Sequence, residues 1–333
     1  MDNSLFYEYA ITPDVFHGDY ISSDARLETI LSEMLKGICD NGMIANLNRD
    51  GWIKLINNDR LQTIKSPNFK DKLITYLNTL HDRNRLVRHP RATQGDPSTN
   101  LEWLDLALES HRRIKFDGII GSCPVISASD VTCADFIDAL SVLDSAKWMG
   151  RRRSLSLTSS EPYYRPVLAS LLRHAKKLII IDPYLSPHIL KYKNFMKICV
   201  EQMGHRGASQ LNGRIQVHVG DPTDKYRNRY PESVEARLNA WQKCIKDLFP
   251  QPIPHKIMIF IRKQKIDGNR FHDRFILTDQ CCIGIQGGTD TYDNSTPNST
   301  IWTLLDYEVM QEKASEIDPV TKVYETLGEQ LIT

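Results

Sequence analysis

Apolar positions in the first half of the chain follow two periods in turn. Residues 5–11 form a short apolar run that stops at Thr12-Pro13-Asp14 and predict a strand. Leu27, Ile30, Leu31, Met34, Leu35 and Ile38 then recur at helical spacing, with Ser23-Asp24 available as a cap. A second helix is predicted near 69–83, a polar break at 90–99 and a further helix at 101–113. A buried strand at 116–122 and a helical stretch at 135–143 complete this half. The order strand, helix, helix, strand predicts an α/β domain with a parallel sheet over residues 1–150.

The second half is punctuated more sharply. Pro166 in a first turn, with Val167, Leu168, Leu171, Leu172 and Ala175 on one face, predicts a helix closed by Lys176-Lys177. Leu178-Ile179-Ile180-Ile181 is a continuous apolar run, as a strand buried on both faces requires. Asp182-Pro183-Tyr184 stops it at the end where α/β sheets present ligands. A helix at 190–203, a strand at 214–219, a helix at 232–249 and a strand at 256–261 are predicted next. Asp267-Gly268-Asn269 marks a turn, and strands follow at 271–278 and 282–285. Between the halves, Arg151-Arg152-Arg153 and the hydroxyl-rich stretch 154–160 read as a solvated linker over 151–162. A sharper reading sets those arginines against phosphate.

The chain of 333 residues has room for two α/β domains, 1–150 and 163–333. Its composition, 41% hydrophobic and 25% charged, is that of a globular protein. No stretch reaches the ~18 apolar residues of a membrane span, and Met1-Asp2-Asn3-Ser4 lacks a secretory pattern. A cytoplasmic protein without a membrane partner is expected. The 7 cysteines include no CxxC pair, so a zinc site is not expected and reduced, buried thiols are. A net charge of +1 means that any nucleic-acid surface is a local patch.

The most specific signal is the segment from Asn269 to Asp279. In a strand, His272 and Arg274 share a face. An imidazole beside a permanent guanidinium suits a phosphate: the arginine neutralises nonbridging oxygens while the histidine attacks phosphorus or protonates a leaving oxygen. Gly287-Gly288 follows, where backbone must approach something closely.

His272, Arg274 and Asp279 resemble the HxK/R-x4-D signature of the phospholipase D superfamily, and Gly287-Gly288-Thr289-Asp290 stands in the place of its glycine-serine-x-asparagine element. The resemblance covers about residues 163–308. It implies a C-terminal α/β lobe with a mixed sheet flanked by helices, with His272, Arg274, Asp279 and Glu308 as catalytic residues. Glu308 would orient the histidine, and Gly287, Gly288, Thr289 and Asp290 would bind substrate phosphate. Arg274 replaces the usual lysine, exchanging a point charge for a planar fork. Asp290 replaces the usual asparagine, so Asn294 or Asn298 is an alternative contributor. The family mechanism implies no metal and no cofactor, a phosphohistidine intermediate, and two such motifs facing one another.

Only one convincing motif is present per chain, because the similar His111-Arg112-Arg113 run falls on a predicted helix. An isologous homodimer with Gly287-Gly288 near the contact is therefore expected. Soluble single-motif relatives include nucleases of bacterial defence systems. The expected function is thus a DNA- or RNA-cleaving phosphodiesterase in antiphage defence, with a defence-system protein as a further partner. Arg262, Lys263, Lys265, Arg270 and the segment Lys225-Tyr226-Arg227-Asn228-Arg229-Tyr230 offer basic and aromatic contacts to nucleic acid. The rival reading is a noncatalytic nucleic-acid-binding or regulatory protein on a decayed lobe. For the first half, Asp14, Glu28, Asp105, Asp117 and Asp130 suggest a divalent-metal nuclease resembling a PIN-type domain, or else a recognition or dimerisation module.

Overall fold

The computed structural model describes residues 4–90, 95–204, 213–223, 232–253, 255–265, 271–291, 298–318, 320–321 and 323–332. The chain divides into two compact units, Phe6–Arg151 and Arg152–Thr333, the latter together with Met1–Leu5.

The first unit is built on five parallel strands: β1 (Tyr7–Ile11), β2 (Gly42–Asn46), β3 (Leu86–Arg88), β4 (Gly118–Gly121) and β5 (Phe136–Asp138), in the order β3-β2-β1-β4-β5. Every residue of β1, β2 and β4 is buried, so both faces of the sheet are covered. The helices α1 (Leu27–Asn41), α2 (Pro67–Asp82) and α3 (Asn100–Arg113) match the predicted periodicities. Their starts have local causes. Ser66 caps α2 by accepting from Phe69 N, and Thr99 with Glu102 forms a capping box on α3. Ser23-Asp24 does not cap α1; Arg26 holds that position, and Asp24 accepts from its backbone and guanidinium. The predicted helix at 135–143 is a correction. Its apolar residues divide between the short strand β5 and a 3-10 turn, Ala139–Asp144.

Among its described residues the second unit carries eight strands: β6 (Ser154–Thr158), β7 (Lys177–Ile181), β8 (Arg214–Gly220), β9 (Lys256–Lys265), β10 (Phe275–Thr278), β11 (Cys282–Gln286), β12 (Ser299–Leu305) and β13 (Tyr324–Ile332). Their order is β13-β9-β8-β7-β10-β11-β12-β6, with β7, β8 and β9 parallel and the other pairs antiparallel. The helices are α4 (Glu161–Leu172), α5 (Leu190–Gly204), α6 (Val234–Leu248) and α7 (Tyr307–Glu316). A mixed sheet flanked by helices is thus observed. On one face, Ile179, Ile181, Leu277 and Cys282 pack with Met310 and Ile317 of the α7 region. Toward α4, Tyr164 lies 4.9 Å from the buried Trp302 of β12, and burying an aromatic ring of this size stabilises by about 2–3 kcal/mol.

The stretch read as a linker is the edge strand β6. Leu155 and Leu157 alternate into the core while the serines face out, and all five residues pair with β12. Pro166 lies inside α4 rather than in its first turn, because the helix begins at Glu161 after Ser160. Strand β10 begins at Phe275, so His272 and Arg274 sit in the extended segment leading into it. The turn at 267–269 lies outside the described residues.

Candidate functional site

Register alone brings the chemistry together. Phe275 of β10 pairs with Ile181 of β7, so the next residues outward, Arg274 and Asp182, adjoin at the carboxyl end of β7. Phe275 also pairs with Gly284 of β11, which places Gln286 and the following glycines at that same end.

Asp182 is fully buried there. It accepts from Tyr184 N at 2.9 Å and from Thr289 Oγ1 at 2.5 Å, and Arg274 Nε stands 3.5 Å away. Burial pushes its carboxyl above the usual carboxylate range, while the Thr289 and Tyr184 hydrogen bonds and the Arg274 charge pull the other way. Thr289 reaches Asp182 because the chain reverses through Gly287 (φ +94) and Gly288 (φ +107). A Cβ on Gly288 would meet Asp290 Oδ1 at 2.6 Å, so a side chain is excluded there for two reasons. Asp290 is buried and paired with Lys191 Nζ at 2.8 Å, so this carboxylate carries its own counterion.

His272 is exposed, and its Nδ1 lies 3.1 Å from the Tyr184 hydroxyl. The Tyr184 ring also lies beneath the Arg274 guanidinium, 4.6 Å from centroid to Cζ. Beside them opens a groove of about 420 Å³ along the sheet, lined by His272, Asp273, Arg274, Phe275, Gln286 and Thr303 among others, so it carries a carboxylate as well as a guanidinium. The end of β7 therefore offers an imidazole, a guanidinium and a glycine turn beside an open cleft, a set suited to an anionic ester.

Two expected catalytic residues stand elsewhere. Asp279 follows the other end of β10 and accepts from the backbone N–H groups of Lys176 (2.6 Å) and Lys177 (3.3 Å), tying β10 to the start of β7. Four strand residues separate it from Arg274, five steps or a rise of about 16 Å. Asp279→Ala is expected to remove two hydrogen bonds at the sheet end and cost about 0.5–1.5 kcal/mol in thermal denaturation. Turnover per folded molecule should stay unchanged; a tenfold loss of turnover at full stability would reassign Asp279 to the chemistry. Glu308 is exposed in the first turn of α7, just past Leu305, which pairs with Cys282 at the far end of β11. That is the sheet end opposite His272, and Tyr184 stands against Nδ1 where Glu308 was expected. Tyr184, Asp182 and Lys191 were not predicted as site residues; the stop after the apolar run of β7 was the one sequence signal for the first two, and Lys191 had none.

Of the linker arginines, Arg151 and Arg153 are engaged elsewhere. Arg153 pairs with Asp306, also at the far sheet end, and Arg151 stacks on Trp148 in the first unit. Arg262 is buried, donating to His218 Nδ1 at 3.1 Å, and Lys263 pairs with Glu325. Arg270, the segment 225–230 and Asn294 lie outside the described residues.

In the first unit the five predicted acids do not converge. Asp14, after β1, accepts from Ser122 N at 3.0 Å, whereas Asp117, before β4, accepts from Glu8 N at 2.6 Å. Because β1 and β4 are parallel, these are opposite sheet ends. Glu28 accepts from Ser66, and Asp105 is exposed on α3. Asp138, which was not predicted, shares the carboxyl end with Asp14; both add to the burial that pushes the Tyr20 phenol up.

His111, Cys133 and Asp135 approach one another at metal-ligand range, yet the ring is already committed. His111 Nδ1 accepts from Phe116 N at 3.0 Å, which puts the proton of a neutral ring on Nε2, 3.0 Å from Asp135. Lys147 occupies the same carboxylate. A cation there would have to displace both.

No protein-family model matches the chain, and neither does any curated protein. Among solved structures it is similar to a phosphatidylserine synthase from Haemophilus influenzae Rd KW20, at 16% identity and a TM-score of 0.31. The match covers 52% of this chain and 39% of that one, so the chain spans about two fifths of its length. No described helix is long and apolar enough to cross a membrane.

Proposed function

We propose that the second unit is a phosphodiesterase acting on DNA or RNA. The carrying observation is that Arg274 and Thr289 meet at Asp182 while His272 stands against the Tyr184 hydroxyl, with His272 and Arg274 lining an open groove. In this reading His272 Nε2 attacks phosphorus, the bond to the leaving oxygen breaks, and that oxygen takes a proton from a second histidine. The second histidine then removes a proton from water, which attacks phosphorus and breaks the P–N bond. Arg274 holds the charge on the nonbridging oxygens throughout. Among the described residues His272 is the one histidine lining the groove, so the second is assigned to another copy of the chain.

One observation favours a second reading, a lobe that binds nucleic acid without cutting it. Asp182 and Asp290 together offset Arg274 and Lys191, leaving little excess positive charge at the turn. Incubation with a panel of single- and double-stranded DNA and RNA separates the two readings. Cleavage is expected to persist in EDTA, because no step above uses a metal. Loss of all cleavage in EDTA, reproduced by Asp14→Ala, would move the chemistry to the first unit. Binding without cleavage of any panel member would leave the noncatalytic reading.

A further inference from the structure

The phosphodiesterase reading needs one tautomer of His272, and the surroundings of the ring bear on which is present. Attack requires the lone pair on Nε2, so the proton must sit on Nδ1 and be donated to an acceptor. The group at Nδ1 is the Tyr184 hydroxyl, 3.1 Å away, with the rings edge-to-face at 5.8 Å and 73°. Tyr184 is itself anchored: it follows Pro183, and its backbone N–H is held at 2.9 Å by the fully buried Asp182, which Thr289 also clamps. The same phenol ring supports Arg274.

We propose that Tyr184 is the positioning residue of this site, its hydroxyl accepting from His272 Nδ1–H and its ring seating the Arg274 guanidinium. A single side chain then sets the spacing between nucleophile and charge-holding group. The proton on Nδ1 stays there throughout. As the N–P bond forms at Nε2 and the P–O bond breaks, the ring becomes cationic, and the phenol oxygen still accepts from it. A neutral acceptor fixes the tautomer without adding a further carboxylate to Asp182, Asp290 and the groove-lining Asp273, where more negative charge would repel a phosphodiester.

The inference rests on the phosphodiesterase reading for its purpose, but its geometry is testable without turnover. Histidine ¹⁵N spectra of the full chain, with His272 assigned from its absence in His272→Gln, should show an Nδ1–H tautomer. Tyr184→Phe should shift it toward the Nε2–H form that free imidazole side chains favour. An Nε2–H tautomer in the wild-type protein, or an unchanged one in Tyr184→Phe, overturns the proposal. In cleavage assays, Tyr184→Phe should lower kcat about 10–100-fold, the range lost when a partner orienting a functional histidine is removed, with KM unchanged because the ring remains. Tyr184→Leu should add a rise in KM of about 3–10-fold as Arg274 loses its support. Equal kinetics for wild type and Tyr184→Phe also overturn it. A wild-type protein that cleaves nothing while showing the Nδ1–H tautomer sinks the phosphodiesterase reading and leaves the Tyr184–His272 contact standing.

Discussion

His272→Ala is expected to abolish phosphodiester cleavage while leaving the protein folded. The imidazole is exposed in an extended segment ahead of β10, and its described partner is the hydroxyl of Tyr184. Its removal leaves no core cavity and no buried charge, so the change in stability should stay within about 0.5 kcal/mol. The chemical loss is of another order. Without Nε2 the covalent route is closed, and Arg274 is the cation left lining the groove, beside Asp273. Removing a nucleophile that acts as one of a unit lowers turnover by roughly four orders of magnitude or more. Turnover on the cleaved member of the nucleic-acid panel and a thermal melt, measured on one preparation, check both halves. Undiminished turnover would remove His272 from the mechanism; lost turnover with a collapsed melt would mean that the ring is structural.

How much of this was legible in the sequence depends on the range of the contacts. The apolar run of β7 and its stop at Asp182 were readable because a strand buried on both faces has no polar residue until it leaves the core. Gly287-Gly288 was readable because both residues take positive φ, which few others tolerate. Strand β6 was misread although its Ser-Leu-Ser-Leu-Thr pattern has period two; its hydroxyl content was weighed above its alternation. Strand β13 carries its own difficulty: mostly exposed or half-buried along the sheet edge, it shows no clean alternation. In the first unit, β3 and β5 are three residues each, too short for either period to register.

The site divides in the same way. The spacing from His272 to Arg274 survived as proximity even though the strand starts later than expected. Asp279 was linked to them by the motif, but a strand carries residues apart as surely as it orders them, and its carboxylate ends on the backbone of Lys176. Tyr184 and Lys191 join the site through pairings 88 and 99 residues long in sequence, which no local spacing encodes. Only the parallel and antiparallel register around β7 brings them in.

Mixing wild-type subunits with an excess of His272→Ala subunits should silence the wild type. An in-line displacement places the attacking group and the leaving oxygen on opposite sides of phosphorus, so one imidazole cannot attack and protonate at once. Among the described residues the groove offers His272 alone, and a twofold partner would present a second copy of the same ring. The cleft is then shared, with both Arg274 side chains lining it and the Gly287-Gly288 turns near the contact. After free reassortment, activity per wild-type subunit should follow the fraction of partners that are also wild type. It should fall to about one half at equal mixing and about one tenth at a ninefold excess of the variant, because each heterodimer lacks one of its two histidines. Two independent sites would instead keep activity per wild-type subunit constant at every ratio. Sedimentation at the assay concentration completes the test, since a strictly monomeric protein with full activity would require the second proton-transfer group to come from within the chain.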